Sequence, residues 1–135
     1  MIIENGKNLK IEGAHGTFFV PHVHFNADTE HCLIEGESYL EDAFEFYDNL
    51  IKWFEDYFQS HQKVVLDFRL SYFNTSSSRA LVDLIRALKL HQDKGKQVTV
   101  NWYYPEPDYD DMRLEGEDFM HETGMTLNFI SYIAE

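Results

Sequence analysis

The residues with most scope for chemistry are the run Asn74-Thr75-Ser76-Ser77-Ser78, followed by Arg79. The run follows an apolar stretch and opens a helical pattern, so it falls at a strand-to-helix turn. A helix N-terminus exposes unpaired backbone N–H groups and a partial positive charge. A phosphoryl group on Thr75, Ser76 or Ser77 would bring about −1.5 to −2 of charge and strong acceptors to that point. Asn74 and Arg79 would support it, and a loop position leaves it open to a kinase or phosphatase. The same residue types are also ordinary N-caps, and on spacing alone capping is the plainer reading. Asn74-Thr75-Ser76 fits a glycosylation sequon too. That reading needs a secretory signal, and the start, Met1 to Lys7, lacks the basic and apolar regions of one.

The other candidates are thinner. His22 and His24 alternate on one strand face, and His31 and Cys32 follow closely. Imidazole and thiolate suit zinc, but a site needs three or four convergent ligands. A small metal-dependent enzyme using His22, His24 and His31 is therefore the runner-up to a binding module. Glu106, Asp108, Asp110 and Asp111 lack the central glycine and terminal glutamate of a calcium loop, and acidic residues early in a helix complement its dipole. No glycine-rich phosphate loop, nucleophile elbow or Cys–His constellation occurs, so no catalytic residue is assigned. Tyr72, Phe73, Trp102 and Tyr104 are candidates for a partner surface, where aromatics carry binding energy. Packing is the alternative for each.

These residues need elements to hold them. Short strands are expected at residues 18–20, 23–25 and 31–34, the first two interrupted by Pro21, which suggests an edge. Ser38-Tyr39-Leu40-Glu41 reads as a capping box, with Ser38 as N-cap. A helix then runs to about residue 59 on a stripe that includes Leu40, Ala43, Phe44, Tyr47, Leu50, Ile51, Phe54 and Phe58. Phe46 and Trp53 fall at the stripe's edge. Residues 64–70 read as an interior strand, with Asp67 and Arg69 charged on its second face. A second helix is expected from the hydroxyl run to about Asp93, stopped by Gly95. A strand at 97–103 is broken by Pro105 and Pro107. A third, acidic helix at 109–121 ends near Gly124, and a last strand spans 126–130. This order predicts an α/β fold with a strand-rich N-terminal part, about three helices and a sheet largely parallel in its second half. Sites in such sheets lie beyond the carboxyl ends of strands, where the hydroxyl run sits.

Composition narrows the function. The 135 residues are the size of one domain, so residues 1–135 are read as a single unit. No stretch approaches the roughly 20 apolar residues of a membrane span. Lys plus Arg total 11 against 24 Asp plus Glu, a net charge of −13. Nucleic acid and anionic membranes would be repelled, whereas a basic protein partner would be attracted. A single cysteine, Cys32, forms no internal disulfide, and the cytoplasm is the expected compartment.

The segment from Leu66 to Leu81 resembles the signature of the SiaC family of bacterial regulatory phosphoproteins, in which an apolar strand with a charged pair enters an Asn-Thr-Ser-Ser turn and a helix. Two more segments agree: Gly36-Glu37-Ser38-Tyr39 with the aromatic helix through Trp53, and Val98-Thr99-Val100-Asn101-Trp102-Tyr103-Tyr104. The resemblance covers roughly residues 33–105. It implies a fold similar to the anti-sigma-factor antagonist (STAS) domain, no enzymatic activity and no cofactor. It also implies a regulatory threonine, which maps onto Thr75, a dedicated kinase, a PP2C-type phosphatase and binding to a diguanylate cyclase in cyclic-di-GMP signalling. Phosphorylation would break such a complex by repulsion and desolvation in the docking surface.

Overall fold

The computed structural model describes residues 2–4 and 8–133; most of the chain start read above for a signal lies outside them. The elements are β1 (Ile2–Glu4), β2 (Asn8–Ile11), β3 (Ala14–His15), β4 (Phe19–Val20), β5 (His22–Asn26), β6 (His31–Ser38), α1 (Ala43–Tyr57), β7 (Lys63–Phe73), α2 (Thr75–Asp93), β8 (Gln97–Glu106), α3 (Met112–Thr123) and β9 (Asn128–Ile133). The main sheet has seven strands in the order β1-β2-β5-β6-β7-β8-β9, and β3 and β4 form a separate hairpin. β1, β2, β5 and β6 pair antiparallel, whereas β6 through β9 pair parallel. The expected mixed α/β fold with three helices is therefore observed.

From β6 onward each new strand is added on the same side of the last. Right-handed crossovers then place α1, α2 and α3 on one face of the sheet. That face carries the core. Ile34, Leu66, Phe68, Leu70, Val100 and Trp102 point to it, against Tyr47, Leu50 and Phe54 of α1 and Leu81, Leu84 and Ile85 of α2. The other face stays polar. One row across it runs His24, Leu33, Asp67, Asn101 and Asn128. Asp67 is only 8% exposed there; it accepts hydrogen bonds from His31 Nε2 (2.7 Å) and Asn101 Nδ2 (2.8 Å). Arg69 does not pair with Asp67. Its guanidinium lies over the Tyr103 ring at 4.3 Å.

Several boundaries differ from the sequence expectation. Ser38 is not the cap of α1 but the last residue of β6, paired with Phe73, and Asp42 caps the helix instead. The Ser38 hydroxyl is buried among side chains, so it is not free to reach the helix start. Phe44, assigned to the buried stripe, is 47% exposed, and Trp53, assigned to its edge, is buried. β8 runs through Pro105 to Glu106. Past Trp102 it pairs only with β9, so one side is an edge where a missing amide donor is tolerated.

Candidate functional site

Between β7 and α2 the hydroxyl run makes a turn at the carboxyl end of the sheet, with Asn74 as N-cap. Asn74 Oδ1 accepts the Ser77 amide at 2.9 Å, and its Nδ2 donates to the Leu40 carbonyl at 2.9 Å. Its own amide donates to the Ser38 carbonyl at 3.0 Å. One side chain thus caps α2 and ties it to the segment leading into α1. Ser76 adds a second tie, its Oγ accepting the Ala43 amide at 3.3 Å.

The three candidate acceptors are not equivalent. Ser77 is fully buried; its Oγ lies 2.8 Å from Ser38 Oγ, which accepts the Tyr47 hydroxyl at 2.9 Å. Burial pushes the Tyr47 phenol well above its ordinary pKa, so it stays a neutral donor. Ser77 is accordingly inaccessible to a kinase, which corrects its place among the candidates. Ser76 is half-buried and engaged with α1. Thr75 occupies the first helical position and is exposed. Its amide and that of Ser76 make no hydrogen bond among the described residues. Arg79, one turn on, is exposed and makes no ion pair among them.

The aromatic candidates divide in the same way. Tyr72 is 45% exposed and packs against Tyr39 in a tilted arrangement, with ring centroids 6.2 Å apart. Tyr39 contacts Phe18 and Phe19, and its backbone pairs with Phe19. Tyr39 and Phe18 therefore extend the exposed aromatic patch beside the turn, which the sequence reading missed. Their only signal was a pair of phenylalanines before Pro21. Phe73 is half-buried, packed on Trp102 and Phe119. The half-buried Tyr104 hydroxyl accepts from Arg113 Nη1 at 3.1 Å. Trp102 is 1% exposed and donates its indole N–H to the Met112 carbonyl at 2.8 Å. It is a core residue that holds the start of α3, and it is unavailable to a partner.

The histidines do not converge. His22 Nδ1 accepts the Gly13 amide at 2.9 Å, and His31 is committed to Asp67. Among the described residues, no three His, Cys, Asp or Glu side chains are close enough to hold a metal. Cys32 is buried, and burial holds its thiol far above the ordinary range. The acidic stretch does cap a helix: Asp108 accepts the Met112 and Arg113 amides at 2.8 and 3.0 Å.

Residues 14–132 match the SiaC family regulatory phosphoprotein. The chain belongs to this family. An uncharacterized Pseudomonas aeruginosa protein is 31% identical over 90 residues, covering 66% of this chain and 71% of the relative. SiaC of Pseudomonas aeruginosa superposes with a TM-score of 0.80 at 25% identity, over 93% of this chain and 99% of that one. A further match is to the structure of the diguanylate cyclase SiaD in complex with its activator SiaC from the same organism. There the TM-score is 0.79 at 26% identity, over 92% of this chain and 99% of that one. No described helix of this SiaC-family chain is long and apolar enough to cross a membrane.

Proposed function

We propose that this chain is a non-catalytic cytoplasmic signalling module, acting as a single unit, that controls a diguanylate cyclase through reversible phosphorylation of Thr75. A protein kinase and a PP2C-type phosphatase set its state. The observation that carries the reading is the sorting of hydroxyls at the α2 start. Ser76 and Ser77 are spent on internal bonds, whereas Thr75 is exposed. Membership of a family of regulatory phosphoproteins supports it, as does the SiaC–SiaD complex of a relative. The unmodified form binds the cyclase. A phosphate dianion at Thr75 must be desolvated for a partner to cover it, and that cost releases the partner. The exposed Tyr72 beside the turn, with Tyr39 and Phe18, belongs to the contacted surface.

Incubation with the cognate protein kinase and ATP, followed by mass spectrometric mapping, tests the reading. Label on Thr75 that disappears in Thr75→Ala, with weaker cyclase binding by Thr75→Glu, is the expected result. Label on another residue, or none from a kinase shown to be active, overturns it.

A further inference from the structure

A groove of about 270 Å³ runs between α1 and α2. Phe44, Tyr47 and Ile51 of α1 and Ala80 of α2 form its apolar floor, and Glu45, Asp48 and Asp83 form its rim. Phe44 is 47% exposed although it continues the apolar stripe of α1, so the stripe is wider than α2 covers. Asp48 is paired with Lys52 at 3.0 Å, while Glu45 and Asp83 have no ion-pair partner among the described residues. The Ala43–Ser76 hydrogen bond joins the two helix starts, so the Phe44 end of the groove lies toward the turn that carries Thr75.

We infer that this groove docks an amphipathic helix of the partner that carries apolar side chains flanked by Lys or Arg. The inference rests on the partner-binding reading above and supplies its chemistry. Acidic walls on both helices match a cationic segment, and an apolar floor with a large exposed ring matches an aliphatic stripe laid along it. A second copy of this chain fits poorly, because each copy brings a net charge of −13. The charge also alters the account of the switch. A phosphate on Thr75 has the same sign as this rim, so toward a cationic helix its charge is attractive. Release must come from its bulk and its hydration beside the docked helix, not from like-charge repulsion.

The test measures the affinity of the cognate GGDEF-type diguanylate cyclase for the full chain at low and high salt, with urea unfolding to check each variant's fold. Phe44→Ala should weaken binding at least about tenfold, as an aromatic anchor does. The double variant Glu45→Lys with Asp83→Lys should weaken it at least about tenfold at low salt, and less at high salt. Arg69→Gln, on the uncovered sheet face, should bind as wild type. Groove variants that bind within about twofold of wild type, or more tightly on charge reversal, overturn the inference. So does loss of binding in Arg69→Gln alone, which would move docking to the open sheet face. A self-association abolished by the groove variants would assign the groove to a second copy and also overturn it. If Thr75→Glu binds as wild type while the groove variants fail, the switch is refuted and the groove stands. If unmodified wild type does not bind the cyclase, both fall.

Discussion

Asn74 is expected to be the most sensitive polar residue of the turn, because its one amide group serves two elements. Replacing it with alanine deletes the acceptor for the Ser77 amide and the donor to the Leu40 carbonyl. Loss of a cap costs about 1 kcal/mol. Loss of a neutral hydrogen bond to a half-buried carbonyl costs about 1 kcal/mol more. Asn74→Ala should therefore lower stability by about 2 kcal/mol. With a slope near 2 kcal/mol per molar urea, the unfolding midpoint should fall by about 1 M. Asn74→Asp separates the two halves. It keeps the cap and gains from the helix dipole, but it loses the donor and sets a carboxylate against the Leu40 carbonyl, so it should fall between the two. Equilibrium urea unfolding followed by tryptophan fluorescence reads both, since Trp53 and Trp102 are buried. An Asn74→Ala loss below about 0.5 kcal/mol would refute the dual role and return Asn74 to the class of ordinary surface residues.

Three further outcomes follow from packing and charge. Gly116→Ala should destabilise by about 1–2 kcal/mol despite better helix propensity, because its Cβ would lie 2.7 Å from the Trp102 and Phe129 rings; thermal unfolding measures it. Burial, with Asp118 and Asp111 nearby, raises the Glu115 pKa, so the native state holds its proton more tightly than the unfolded chain does. Stability should fall as pH rises from the ordinary carboxylate value through the raised one. Glu115→Gln should be more stable than wild type at pH 7 and equal to it in acid below both values, read by unfolding at several pH values. Cys32 is fully buried with its thiol pKa raised, so thiol reagents should label it only when the protein unfolds. Rapid labelling of native protein would contradict its placement.

The parts of the fold legible in the sequence were those that local pattern controls. α2 was bounded because Asn74 and Gly95 punctuate an unbroken apolar stripe, and the middle of β7 was found because its inward residues alternate without a gap, although the strand runs on past Leu70 to Phe73. What failed depends on which neighbour lies across an element. Period alone puts Phe44 on the stripe of α1, but only the placement of α2 shows that the core stops short of it. A capping-box pattern at Ser38 was outweighed by strand pairing with Phe73 and by a buried partner 39 residues away. Trp102 stood as a partner candidate with packing as its alternative; it is in phase with the buried Val98 and Val100 of β8, and the close approach of α3 at Gly116 closes over it. Long-range contacts of this kind leave no trace in local spacing.

The hydroxyl run shows the same division within five residues. Its composition makes Thr75, Ser76 and Ser77 interchangeable, but a helix turns about 100° per residue, so their side chains cannot share an environment. Ser77 turns inward to Ser38 and Tyr47, Ser76 toward α1, and Thr75 outward. A phosphate on Ser77 would have to displace a buried hydroxyl network and would unfold the start of α2. A phosphate on Thr75 would disturb none of those bonds. The proposed switch is therefore expected to work through the exposed Thr75 and to act on what docks there, because Ser76 and Ser77 help to hold the fold beneath.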